Sequence, residues 1–226
     1  MVKLAVFDCD GTLIDSQVNI LRAMRQSFDS HRLPPPQDHA IRRVVGLSLV
    51  ESMQVLLPQA DPSLHASLAQ DYKAAFHRLR ADKGLDPEPL YAGIAETLDH
   101  LRDTGWLLGV ATGKSDRGLA LALAHHRLTD HFITLQTADR HPSKPHPAML
   151  RAALAQAGAA PQDAVIIGDT VFDITMGANA GVRAIGVDWG YHDAHELLDA
   201  GAIGVAADAA HLRALLDGAA PRDLTA

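Results

Sequence analysis

Phe7-Asp8-Cys9-Asp10-Gly11-Thr12-Leu13-Ile14-Asp15-Ser16 decides how this chain is read. The apolar run Leu4–Phe7 leads into it. That run is too short for an independent helix and reads as a strand buried on both faces. Two carboxylates two residues apart, then a glycine, end it. Ligands of open parallel sheets bind just beyond the carboxyl ends of the strands. There Asp8 and Asp10 are candidates to share a divalent cation, or to divide nucleophile and acid/base duties. Gly11 lets backbone N–H groups turn toward an anion. The plain alternative is a strand-ending turn capped by Asp. Cys9 sits between the two acids; alternation along an extended chain points it to the other side, as a small buried hydrophobe.

Outward from this stretch the chain alternates short apolar runs with helical patterns. Strands are expected at Leu107–Ala111, Ile133–Thr137, Ala164–Ile167, Arg183–Val187 and Ile203–Ala206. Helices are expected at Ile94–Thr104, Arg117–His126, Pro147–Gln156, Phe172–Ala180, Ala194–Asp199 and Ala210–Leu216, several of them followed by glycine. This rhythm predicts an α/β fold with a parallel sheet covered on both faces. Pro221–Ala226 reads as a loose tail.

Residues 16–83 break the rhythm. Val18, Leu21, Met24 and Phe28 recur at helical spacing, as do Leu64, Leu68, Tyr72, Phe76 and Leu79. A further helical stretch, Ile41 to Leu56, is broken near Gly46. The segment is therefore expected to be a helical insert after the first strand, leaving through Gly84-Leu-Asp-Pro-Glu-Pro. It holds nine Lys and Arg against six Asp and Glu, in a chain whose formal net charge is −7. Solvated helix faces explain this blandly; attraction of an anionic substrate explains it more sharply.

Three later motifs fall at predicted strand ends. Gly109-Val-Ala-Thr112-Gly113-Lys114 places a hydroxyl and amides where phosphate oxygens bind. Ser143-Lys144-Pro145-His146-Pro147 fixes a lysine ahead of a helix. Gly168-Asp169-Thr170-Val171-Phe172-Asp173 ends a buried run in a carboxylate, with a second four residues on. Hard oxygen ligands of this kind suit Mg²⁺, while a helix N-cap with a first-turn acid is the structural alternative.

Composition excludes several classes. An acidic chain of 226 residues with 21% charged residues is neither disordered nor a general nucleic-acid binder. A single cysteine excludes an intramolecular disulfide and a multi-cysteine zinc site, and the 13 histidines match no zinc spacing. No apolar run approaches a membrane span, and Asp8 and Asp10 interrupt the place where a signal peptide needs its hydrophobic centre. A cytoplasmic protein without membrane or nucleic-acid partners is expected, as a monomer or homodimer. Trp106 and Trp189 read as packing residues.

Taken together, the four motifs resemble those of the haloacid dehalogenase-like superfamily, over nearly the whole chain. Asp8–Thr12, Thr112, Lys144 and Gly168–Asp173 match its motifs in order, and the insert resembles its helical type 1 cap. Ala178-Asn-Ala-Gly-Val and Val187-Asp-Trp-Gly are similar to the phosphoglycolate phosphatase-like branch. The resemblance implies a Rossmann-like, doubly wound parallel sheet as catalytic core (1–15 and 84–226) and a cap domain (16–83). It implies a phosphatase acting on a small phosphomonoester, phosphoglycolate first. Asp8 then attacks phosphorus, Asp10 acts as acid and base, and Thr112, Gly113 and Gly11 hold phosphoryl oxygens while Lys144 stabilises negative charge. Mg²⁺ is implied at Asp8, Asp10 (through its carbonyl) and Asp169, with Asp173 reaching it through water or orienting Lys144. Arg42, Arg43 and Gly46 fall where such caps present a specificity loop. Sugar phosphomutase, pyrophosphatase, nucleotidase and a non-catalytic binding protein are the alternatives. Asp10 speaks for phosphate-ester chemistry, because an alkoxide leaving group needs a proton.

Overall fold

Leu4, Ala5, Val6 and Phe7 are each fully buried in the computed structural model, which describes residues 2–219. The expected tail, Pro221–Ala226, lies outside the described residues. Six parallel strands form one sheet: β1 (Lys3–Phe7), β2 (Trp106–Thr112), β3 (Thr134–Thr137), β4 (Ala164–Gly168), β5 (Arg183–Val187) and β6 (Val205–Ala206). Their order is β3-β2-β1-β4-β5-β6. The reversal of direction at β1 is the topological switch point of a doubly wound fold. Phe7 is in register with Val110 of β2 on one side and Ile167 of β4 on the other, so three strands end level at the site.

Alternation along β1 divides the core in two. Ala5 and Phe7 join Val165 and Ile167 on one face, under α5 (Ile94–Asp103), α6 (Asp116–His125) and α10 (Ala209–Ala219), through Leu98, Leu119 and Leu212. Leu4 and Val6 join Ile166 on the other, under α7 (Ala148–Ala157) and α8 (Val171–Ala180), through Met149, Leu150 and Ile174. Apolar residues on both faces are what a buried parallel sheet requires. The last strand is shorter than the sequence suggests. Ile203 is 54% exposed and outside β6, which pairs only at Gly186–Val205 and Val187–Ala206. It is a short edge strand.

Four helices lie between β1 and α5: α1 (Gln17–Ser30), α2 (Asp38–Arg42), α3 (Leu49–Leu56) and α4 (Pro62–Ala81). The stretch expected at Ile41 to Leu56 is two helices, and the turn between them carries Gly46 at a positive φ of 98°. These helices enclose an apolar cluster of their own, built on Ile20, Met24, Phe28, Ile41, Met53 and Leu68. Val18, counted into the α1 stripe, is instead 50% exposed. Asn19 is buried in its place, bonded to Glu88 Oε1 and to both backbone groups of Asp86.

The outgoing and returning chains touch. Asp15 N donates to Pro89 O, Tyr91 N donates to Leu13 O, and Ile14 bridges Leu90. Arg22 braces this neck through Gly84 O at 2.7 Å and Asp86. Among the described residues no helix is long and apolar enough to cross a membrane.

Candidate active site

The β1 ladder continues one residue past the strand. Asp8 N donates to Ile167 O at 2.9 Å, which fixes Asp8 at the carboxyl end of the sheet. The chain then turns back on itself, with Leu13 N and Ile14 N both donating to Cys9 O. Cys9 is buried in the core, its thiol pKa pushed up first by burial. Gly11 adopts a positive φ of 86°, and a Cβ there would lie 2.2 Å from Asp169 Oδ2.

Asp8, Asp169 and Asp173 offer oxygens within 4.8 Å of one another, and all three are buried. Lys144 enters this cluster from the loop before α7. Its Nζ lies 2.8 Å from Asp8 Oδ1 and 2.7 Å from Asp173 Oδ1. Thr12 Oγ1 donates to Asp169 Oδ1 at 2.8 Å, Tyr191 N donates to Asp169 Oδ2 at 2.9 Å, and Thr170 Oγ1 donates to Asp173 Oδ2 at 2.6 Å. The same Asp173 Oδ2 accepts from Thr170 N at 3.3 Å, as part of the capping box that starts α8. The helix cap and the site are therefore one structure, and the two readings of Asp173 are not alternatives.

The electrostatics are those of crowded carboxylates short of positive charge. Burial lifts the Asp8 pKa to about 7; Lys144 opposes the rise, and Asp173 and Asp10 add to it. Asp169 is pushed well up by burial and by its two acidic neighbours. Burial works against the Lys144 ammonium too, yet Asp173 and Asp8 hold its pKa above the ordinary lysine value. Lys144 approaches Asp8 as an ion pair without hydrogen-bond alignment, so both buried Asp8 oxygens lack a hydrogen-bond partner among the described residues. Three acids, one cation and an orphaned carboxylate suit a hard divalent cation such as Mg²⁺.

Asp10 stands apart from this cluster. Lys114 Nζ lies 2.6 Å from its Oδ1, and Ser16 Oγ donates to the same oxygen. The sequence reading missed both partners. Lys114 was visible directly after Thr112-Gly113, but nothing in its spacing said that it would turn toward β1. Burial works against the Lys114 charge, and Asp10, Cys9 and Glu88 together outweigh it and raise the pKa. Thr112 is buried at the end of β2, where its Oγ1 accepts from Lys114 N at 3.3 Å.

Asp8, Asp10, Thr112 and Gly113 line one cavity of about 400 Å³, closed from the other side by the helices between β1 and α5. The turn after α2 presses directly on β2: a Cβ on Gly113 would lie 2.6 Å from Leu47 O and 2.9 Å from Gly46 O. Gly46 lines the cavity; Arg42 and Arg43 do not. Arg43 instead grips Glu196 of α9 (Ala194–Asp199) with contacts of 2.6 and 2.7 Å, and that bond holds the Glu196 pKa down to about 2. The insert's basic residues that do reach the cavity are Lys73, His77 and Arg80, all on α4. Trp189 packs against the core and also donates its indole N–H to Thr12 O at 3.1 Å.

Known proteins resemble this chain over most of its length. The family model for haloacid dehalogenase-like hydrolases matches residues 5–187. A protein of Dickeya dadantii named "Probable phosphatase IndB" is 34% identical over 201 residues, spanning 87% of this chain and 86% of its own. A phosphoglycolate phosphatase of Pseudomonas putida is 30% identical over 225 residues, covering 96% of this chain and 80% of its own. The crystal structure of a hydrolase from Pseudomonas syringae superposes with a TM-score of 0.85 at 25% identity, over 97% of this chain and all of the other.

Proposed function

Because the chain belongs to the haloacid dehalogenase-like hydrolases, in the phosphoglycolate phosphatase-like branch, and is a phosphatase of that family, we propose that it hydrolyses a phosphomonoester through an aspartyl-phosphate on Asp8. The observation that carries this reading is Lys144 bridging Asp8 and Asp173 at one end of a cavity that Asp10 and Thr112 also line. Residues 16–83 act as a cap over a core made of 1–15 and 84–226.

An Asp8 oxygen attacks phosphorus as the bond from phosphorus to the alkoxide oxygen breaks. Asp10, protonated for this half-reaction, gives its proton to the departing oxygen. Its carboxylate then takes a proton from the water that attacks the acyl phosphate, releasing inorganic phosphate and restoring Asp8. Thr112 and the Gly113 amide hold phosphoryl oxygens, and Lys144 offsets their negative charge, positioning and electrostatics being most of phosphoryl-transfer catalysis. Asp8, Asp169 and the Asp10 carbonyl would hold Mg²⁺, with Asp173 orienting Lys144. When bound, the cation neutralises the repulsion between the Asp8 carboxylate and the phosphoryl group. In the resting state Lys114 and Ser16 engage the Asp10 carboxylate, an arrangement suited to the base of the second half-reaction. The cytoplasm suits a chain with one buried thiol and no disulfide.

The test is phosphate release from a panel of phosphomonoesters with Mg²⁺, beside Asp8→Asn and beside EDTA. Release that both treatments abolish supports the reading. Release that survives Asp8→Asn removes Asp8 from the nucleophile role, and release that survives EDTA removes the metal.

A further inference from the structure

The cavity has two chemically different halves, and the phosphatase reading uses only one. Asp8, Asp10, Thr112 and Lys114 account for the polar end. The remaining wall is mostly apolar. Ile20 and Met24 come from α1, Val45 and Leu47 from the turn after α2, and Tyr72 and Phe76 from α4. Leu121 of α6 faces the same space and is 39% exposed, large for a leucine on a packed helix. Tyr72 and Phe76 stand one helical turn apart, ring centroids 5.4 Å apart and tilted by 50°, as a paired aromatic surface.

A volume of about 400 Å³ lies at the low end of the range for sites that bury drug-sized ligands. A two-carbon acid such as glycolate neither fills it nor matches its walls. Its carboxylate needs a cation, and the arginine pair nearest the specificity turn is absent from the cavity, with Arg43 committed to Glu196. Lys73 is drawn to Asp139 at 3.1 Å. Arg80 and Arg117 remain in the lining. With Lys73 and Lys114 they only balance Asp8, Asp10, Glu88 and Asp139, which line the same cavity, so the wall holds no excess of cations for a carboxylate.

Resting on the phosphatase reading, we infer that the substrate is the phosphomonoester of an apolar, ring-bearing alcohol, whose body lies against Tyr72, Phe76, Met24 and Leu121 while its phosphate meets Asp8. Such a leaving group displaces water from apolar walls that a small polar acid leaves wet.

The experiment compares kcat/KM for benzyl phosphate and (2-naphthyl)methyl phosphate with that for phosphoglycolate and glycerol 3-phosphate. All four release alkoxides, so leaving-group acidity does not decide the order. The ring-bearing esters are expected to lead by at least about tenfold. Phe76→Ala is expected to cut the ratio of benzyl phosphate to phosphoglycolate by roughly tenfold, and Phe76→Leu to restore most of it. Circular dichroism and a thermal melt confirm that each variant folds. Preference for phosphoglycolate or glycerol 3-phosphate, still abolished by Asp8→Asn, overturns the apolar alcohol and leaves the phosphatase standing. Asp8-independent release, or none from any ester, overturns both. A ratio unmoved by Phe76→Ala in a folded variant removes the aromatic wall from recognition and overturns the inference.

Discussion

Replacing Asp8 by Asn is expected to abolish turnover and, in the same step, to make the metal-free protein more stable. Asp8 is 1% exposed. Burial, opposed by Lys144 and reinforced by Asp173 and Asp10, lifts its pKa from 3.8 to about 7. A carboxyl whose pKa is raised in the folded state destabilises the fold as pH rises. The penalty begins above 3.8, where the unfolded chain ionises, and is complete once pH has passed about 7. At about 1.4 kcal/mol per pH unit it reaches about 4 kcal/mol at pH 8 but less than half of that at pH 5. Asn carries no charge and escapes this penalty, less the part that Lys144 loses with its Asp8 partner, so a gain of about 2–4 kcal/mol at pH 8 is expected. A chain of this length shifts by about 2–4 °C per kcal/mol. In EDTA at pH 8, Asp8→Asn should therefore melt about 5–15 °C above wild type, and the gap should narrow at pH 5. Adding Mg²⁺ should raise the wild-type Tm and shrink the gap, because binding to the folded state alone stabilises it. Differential scanning fluorimetry at the two pH values, with and without Mg²⁺, reads all of this. A variant that melts below wild type at pH 8, or a gap that does not narrow at pH 5, would refute the reasoning.

Lys144→Met removes the one cation between Asp8 and Asp173; breaking such a buried pair costs about 3–5 kcal/mol, and turnover should fall by at least about 10², read by thermal melts and steady-state kinetics. Gly113→Ala pushes a methyl group into Leu47 O and Gly46 O, so the turn at Gly46–Leu47 must lift off the end of β2; kcat/KM should fall about 10- to 100-fold, with the circular dichroism spectrum unchanged. Arg43→Ala should be mild, since its pair with Glu196 is 44% exposed on the arginine side. Exposed pairs are worth at most about 1 kcal/mol, so a Tm loss above about 5 °C would refute this estimate of the pair, and a large rise in KM would support Arg43 in substrate binding.

The sequence made the sheet legible because β1 and β4 bury both faces, and short unbroken runs such as Leu4–Phe7 are what a strand covered on both sides requires. Asp8, Thr112 and Asp169 drew the eye because each ends or directly follows such a run, whereas Lys144 lies in the loop between β3 and α7 and stood out only through its place ahead of a helix. What periodicity could not supply was direction across space. Val18 fits the α1 stripe by spacing, yet Asn19 is buried instead, because its partners at Asp86 and Glu88 lie far along the chain. Arg43 sits on the right segment and turns to Glu196, on the far edge of the sheet. Lys114 was in view but unassigned, since its partner Asp10 follows a different strand. Local pattern finds elements and strand ends; a long side chain reaches a partner that only the assembled sheet defines.

The neck between Leu13–Asp15 and Pro89–Tyr91 has a consequence for how this fold tolerates change. The chain departs and returns through backbone pairs that already touch. To the sheet, everything between them is a closed loop, and the entropy of closing a loop grows only as the logarithm of its length. Strand order and register are therefore nearly indifferent to what the loop contains. Helices can be lengthened, exchanged or repacked there at little expense to the carboxylate cluster beneath. The carboxylate cluster and most of the helical wall of the cavity therefore lie in separate stretches of one chain, free to vary at different rates.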